Sequence, residues 1–182
     1  MENAKPILII AISGSLKSNS SNTNILRSLV GLAPNNVEIR ILEGLDGLPH
    51  FNPDEKREID SVNNFREQLK HANGVVFSTP EYAFGVPGVL KNALDWTVST
   101  GELNEKPVIA ISASPLPSGG DKALASLLLT LTALGASMSQ GDSLSIAGLR
   151  IKMSESGEIT DKATKAALEN LLNRLISHIS SN

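Results

Sequence analysis

Three features of the sequence predict an α/β fold, a doubly wound five-stranded parallel sheet with helices on both faces. Strand-like apolar runs and helical patterns alternate strictly along the chain, which places a parallel sheet between two helical layers. The runs ending at Ser13, Pro80 and Ser114 are almost continuously apolar, as strands buried on both faces must be. The 182 residues, 41% hydrophobic and 19% charged, suit a packed core that removes roughly two thirds or more of the unfolded surface from water. Residues 1–182 are therefore read as a single domain.

The elements follow in order. PILIIAIS is an isoleucine-rich first strand. NTNILRSLVGLA sets Ile25, Leu26, Leu29 and Val30 at helical spacing. NVEIRIL alternates, with Val37, Ile39 and Ile41 on one side, and reads as a strand nearer an edge. EGLDGLPHFNPDEKRE is then a loop of about 16 residues, long enough to suggest a functional role. IDSVNNFREQLKHA gathers Ile59, Val62, Phe65 and Leu69 on one helical face, and GVVFSTP is a buried strand stopped by Pro80.

VPGVLKNALDWTVS is a helix with proline near its start, where a missing N–H costs nothing. PVIAISAS is the fourth strand, and DKALASLLLTLTALGA a strongly apolar helix. DSLSIA is the fifth strand, and TDKATKAALENLLNRLISHI an amphipathic helix with Leu168, Leu171, Leu172, Leu175, Ile176 and Ile179 in its stripe. Only the terminal SHISSN reads as weakly ordered.

Composition excludes several roles. The net charge is -3 and the basic residues are scattered, which argues against nucleic acid or a membrane surface as a partner. No cysteine is present, so thiol chemistry and thiolate metal sites are out. The histidines at 50, 71 and 178 are isolated and read as exposed or partnered side chains, not as metal ligands. The run Ile7 to Ile12 is shorter than a signal-peptide core, and no window approaches the ~20 apolar residues of a membrane span. The expectation is a cytoplasmic protein.

In an open doubly wound sheet, ligands bind beyond the carboxyl ends of the strands, where strand order reverses. The loops that meet there are SGSLKSNSSN, TPEYAFGVPG and SASPLPSGG. The first contains neither a dinucleotide fingerprint nor a P-loop. What it offers is a helix N-terminus, an anion-favouring place. Around it Ser15, Ser20, Ser21, Asn22 and Thr23 can donate hydrogen bonds, and Lys17 can neutralise charge. A terminal phosphate suits this loop better than a pyrophosphate. The bland alternative is a solvated loop with Ser20, Ser21 or Asn22 as an N-cap. In the second loop, Tyr82 and Phe84 offer contacts to a planar ligand; alternatively they cover the core or an oligomer contact.

GSLKSNSSN, LPHFNPD and PEYAFGVPGVLKNALDW together resemble, in order, the G-S-x-R-x-x-S-x-N, L-P-x-[FY]-N-P-D and P-E-Y-N-x-x-x-P-G-x-L-K-N-A-x-D-W segments of the NADPH-dependent FMN reductases. That resemblance implies a flavodoxin-like fold, bound FMN, NADPH or NADH as co-substrate, and a small-molecule electron acceptor such as a flavin or quinone. It implies that Ser15, Lys17, Ser20 and Asn22, with nearby backbone amides, hold the FMN phosphate; Ser21 joins these candidates as a hydroxyl donor of the same loop. Pro80, Glu81 and Tyr82 would run along the isoalloxazine ring with Ala83 and Phe84 beside them. Ser114 and the Gly119–Gly120 turn would lie near its other side. It also implies a homodimer or homotetramer, and the long LPHFNPDEKR loop, with no obvious partner inside one domain, points the same way. Three positions depart from the pattern: Lys17 where arginine is usual, Ala83 where asparagine is usual, and Phe84 where tyrosine is common. Two rival readings share the fold: an electron carrier without reductase activity, and a module that has lost its flavin.

Overall fold

The computed structural model describes residues 6–181. The chain runs through β1 (Ile7–Ser13), α1 (Ser21–Leu32), β2 (Val37–Leu42), α2 (Asp60–His71), β3 (Gly74–Thr79), α3 (Gly88–Asp95), β4 (Val108–Ala113), α4 (Asp121–Ala133), β5 (Ser143–Ile146) and α5 (Lys162–Ser181). All four strand pairings are parallel, in the order β2-β1-β3-β4-β5. This is a flavodoxin-like sheet, whose order reverses between β1 and β3.

Period-two alternation in β1 divides the core. Ile9 and Ala11 pack with Ile25, Leu26 and Leu29 of α1 and Leu168, Leu172 and Leu175 of α5. Ile10 and Ile12 face the opposite layer, with Phe65 and Leu69 of α2, Leu90 and Leu94 of α3, and Leu127 and Leu131 of α4. β3 and β4 are buried along their whole length, whereas β2, at the edge, alternates.

Two helices are shorter than their patterns predict. After Asp95 the chain tightens: Thr97 N–H donates to Leu94 O and Val98 N–H to Asp95 O, at 3.0 and 3.2 Å. α4 ends at Ala133 in a Schellman motif, with Gly135 N–H donating to Thr132 O and Ala136 N–H to Leu131 O. The C-terminal segment, in contrast, is helical through Ser181, with Ser180 and Ser181 hydroxyls donating to carbonyls one turn back. Asn182 lies outside the described residues.

The long loop after β2 does have a partner inside the domain, contrary to expectation. Pro49 O accepts from Asn92 Nδ2 at 3.0 Å and from Trp96 Nε1 at 2.9 Å. Asn92 Oδ1 in turn accepts from Phe51 N–H at 2.8 Å, and the Phe51 ring meets Trp96 edge-on at 5.2 Å. Arg66 from α2 donates to Trp96 O at 2.9 and 2.6 Å and sits over the Trp96 ring. The Asn-Ala-Leu-Asp-Trp stretch of α3 thus works as a clamp for this loop. No helix among the described residues is long and apolar enough to cross a membrane.

Candidate functional site

Hydroxyl residues stand at or just beyond the carboxyl ends of the three inner strands and tie down the neighbouring loops. Ser13, Ser78, Thr79, Ser112 and Ser114 are buried at the carboxyl edge of the sheet. Ser13 Oγ accepts from Thr23 Oγ1 at 2.9 Å and from Ser15 N–H at 3.3 Å, tying strand end, loop and helix start together. Ser112 Oγ donates to Gly119 O at 2.9 Å, and Ser114 Oγ accepts from Leu116 N–H at 3.1 Å. Across the switch point, Ser78 Oγ donates to Asn22 Oδ1 at 3.0 Å.

The loop between β1 and α1 is a frame of donors. Ser20 is the N-cap, its Oγ accepting from Thr23 N–H. Lys17 N–H is taken by Ser15 Oγ at 3.3 Å. The backbone N–H groups of Ser18, Asn19, Ser20, Ser21 and Asn22 have no protein acceptor among the described residues. Nor does Asn22 Nδ2, because Ser78 occupies the oxygen end of that amide. Lys17 is exposed and has no acidic partner among the described residues. A run of unpaired N–H groups at a helix start, with a side-chain cation beside it, is what a phosphate requires.

The loop after β3 closes on itself. Tyr82 and Gly85 exchange backbone hydrogen bonds of 3.1 and 3.0 Å around Ala83 and Phe84. Both central residues have positive φ, 49° and 59°, the geometry of a type I′ turn. Asparagine tolerates that region and alanine does so at a cost of about 1–2 kcal/mol, which explains physically why asparagine suits position 83. The turn leaves Tyr82 57% and Phe84 79% exposed.

Glu81 does not point into solvent. Its Oε2 accepts from Lys122 N–H and Ala123 N–H, both at 3.0 Å, at the start of α4. The N-cap of α4 is Gly120, which has no side chain to do this. Glu81 therefore links the loop after β3 to the loop after β4. The latter is anchored further by Ser145 Oγ donating to Ser118 O and Leu149 N–H donating to Ser114 O.

The expected residues thus come together, in different roles. Ser15, Lys17, Ser20, Ser21 and Asn22 share one loop and helix start, Pro80 to Phe84 a second loop, and Ser114 with Gly119 and Gly120 a third. Thr23 is turned inward to Ser13. Leu16 and Leu116, 58% and 59% exposed, were not anticipated from sequence. With Tyr82 and Phe84 they give the crevice an apolar rim on all three loops. The signal for them is weak: one large apolar residue in an otherwise polar loop.

The histidines take bland positions. His50 is exposed, His71 lies 3.2 Å from Glu67, and His178 is 3.1 Å from the Ser137 hydroxyl. No group of three or more metal-binding side chains occurs among the described residues. A surface cleft of about 430 Å³ lies elsewhere, between α1 and the 156–168 segment.

Residues 7–148 match the profile of a family described as NADPH-dependent FMN reductase. An NAD(P)H-dependent FMN reductase of Pseudomonas aeruginosa is 31% identical over 173 residues, 93% of each chain. A quinone reductase of Pseudomonas putida is 30% identical over 96% of this chain and 95% of its own. Among solved structures, FerB, a flavoenzyme NAD(P)H:(acceptor) oxidoreductase from Paracoccus denitrificans, superposes with a TM-score of 0.83 at 27% identity. The match covers 96% of this chain and 98% of FerB.

Proposed function

The chain belongs to the NADPH-dependent FMN reductase family, and from that premise we propose that its carboxyl-edge crevice binds FMN and serves NAD(P)H-dependent reduction of a quinone or flavin acceptor. The observation that carries this reading is the row of unpaired N–H groups from Ser18 to Asn22 beside Lys17, at the same carboxyl edge of the sheet as the loops that expose Leu16, Tyr82, Phe84 and Leu116. FMN, when bound there, would supply the two-electron chemistry between nicotinamide and acceptor.

The residues bind and orient. The α1 N-terminus, the Asn22 amide, the Ser15, Ser20 and Ser21 hydroxyls and Lys17 hold the phosphate. α4 offers no rival anion site, since Glu81 already occupies its first two free N–H groups. Pro80 to Phe84 form one wall along the ring, and Ser114 with the Gly119–Gly120 turn forms the other. Tyr82 and Phe84, exposed at the rim, lie where a flat acceptor or nicotinamide would stack.

We also propose that residues 1–182 act as one FMN-binding domain in the cytoplasm and assemble as a homodimer or homotetramer. The long loop no longer supports assembly, because α3 holds it.

The test is spectroscopic. Purified protein titrated with FMN and FAD is expected to prefer FMN, since the loop suits a terminal phosphate. Anaerobic NADH or NADPH is then expected to bleach the bound flavin without a long-lived semiquinone. Tighter FAD binding, or no bleaching with either nicotinamide, contradicts the reading; the second outcome favours the electron carrier. A finer expectation concerns Lys17. Lys17→Ala should weaken FMN about tenfold, roughly 1.4 kcal/mol, a charge-assisted contact reduced by solvent. Lys17→Arg should restore or improve binding through its planar fork. Riboflavin titrations, which lack the phosphate, should respond to neither.

A further inference from the structure

We infer that Glu81 is a positioning residue that sets the spacing of the two walls of the flavin crevice; this rests on the flavin-binding reading above. Three observations converge. The two N–H groups it accepts from are 41 and 42 residues away, on α4, so the contact links the loops rather than decorating one of them. The N-cap of α4 is Gly120 with φ 80°, and no side-chain cap comes from the helix's own start. A Cβ placed on Gly120 would lie 3.5 Å from Glu81 Cβ, so the two loops already touch at their bases.

On the far side of this strut, residues 82–85 form a turn whose two central residues both hold left-handed backbone. Among the described residues that turn has only its own pair of hydrogen bonds, between Tyr82 and Gly85. Its orientation is therefore set mainly at Glu81. When the carboxylate is removed, two N–H groups of α4 lose their acceptor and the turn loses its tie to the opposite wall. Ring contacts should suffer while the phosphate cradle, on α1, should not. The effect must appear equally for FMN and riboflavin, which separates Glu81 from every residue that reads the phosphate.

The experiment compares Glu81→Ala and Glu81→Gln in the full chain. In Glu81→Ala, FMN and riboflavin are each expected to bind about tenfold more weakly, with an altered visible circular dichroism of the bound ring. Glu81→Gln, which retains an acceptor oxygen, is expected to recover most of the affinity and the wild-type spectrum. Independently of flavin, amide hydrogen exchange at Lys122 and Ala123 should accelerate in the alanine variant and be restored by glutamine. Unchanged exchange at those two amides, or an alanine variant with wild-type affinity for both flavins, overturns the inference. So does a loss confined to FMN, or one that glutamine fails to repair. Wild-type protein that binds no flavin, with exchange behaving as described, instead overturns the functional reading and leaves Glu81 as a cap alone.

Discussion

Asn22→Asp is expected to weaken FMN by at least about a thousandfold, upward of roughly 4 kcal/mol, while leaving riboflavin binding and the fold nearly unchanged. The substitution is isosteric, and the oxygen that accepts from Ser78 Oγ at 3.0 Å is retained. A carboxylate in the first turn of α1 is favourable to the helix dipole, so the unliganded protein has little reason to unfold. For a phosphate the same change is doubly adverse. A donor disappears from the cradle, a loss of roughly 1.5–3 kcal/mol for a bond to a charged group. A negative charge takes its place beside the anion; like charges about 4 Å apart repel by roughly 4 kcal/mol at an effective dielectric near 20. Calorimetric titration with both flavins, plus a melting curve without flavin, decides the matter. Equal weakening of both ligands would mean that Asn22 organises the switch point but does not read the phosphate.

Most of the fold was legible because burial dictates it. Continuous isoleucine and valine runs can be satisfied only between two helical layers, and the order of elements then leaves few topologies. The phosphate loop was legible as a composition: Ser20 is the N-cap in the structure, but the five unpaired N–H groups from Ser18 to Asn22 around it are a property of backbone conformation that no residue type announces. Glu81 was legible as a motif residue and illegible as a cap, because its partners are two backbone groups on another helix. The long loop was misjudged for a similar reason. Its partners, Asn92 and Trp96, stand on α3 and at its C-terminal end, in a stretch the sequence marks as a helix and as part of a family-like segment, and only the fold reveals that they hold Pro49 and Phe51. Ala83 is the complementary case. A departure from the family pattern was visible, and the positive φ at that position supplies its physical meaning.

Gly119→Ala is expected to lower the melting temperature by about 10 °C and to weaken FMN and riboflavin together. Gly119 has φ 64°, and a Cβ there would meet Ser145 Oγ, with Ala147 N at 2.9 Å and Ile146 C at 3.1 Å. Two of these are backbone atoms at the end of β5, which pairs with β4, so the obstruction cannot be relieved by rotating a side chain. The left-handed backbone costs alanine roughly 1–2 kcal/mol and the overpacking another 1–3 kcal/mol. A total near 3 kcal/mol corresponds to roughly 6–12 °C in a chain of this length. Gly148→Ala separates the two causes. Gly148 has nearly the same φ, 61°, but a Cβ there has no atom within 4 Å. Its cost should be conformational alone, a drop of roughly 2–4 °C for each kcal/mol. Moving the 114–120 loop also shifts a wall of the crevice, since Gly119 O is the acceptor that holds Ser112 Oγ. The flavin loss should therefore track Gly119 and not Gly148, and it should not distinguish FMN from riboflavin. Equal melting temperatures for the two variants would show that β5 yields to the added methyl group. Unaltered flavin affinity in Gly119→Ala would show that the second wall does not touch the ring.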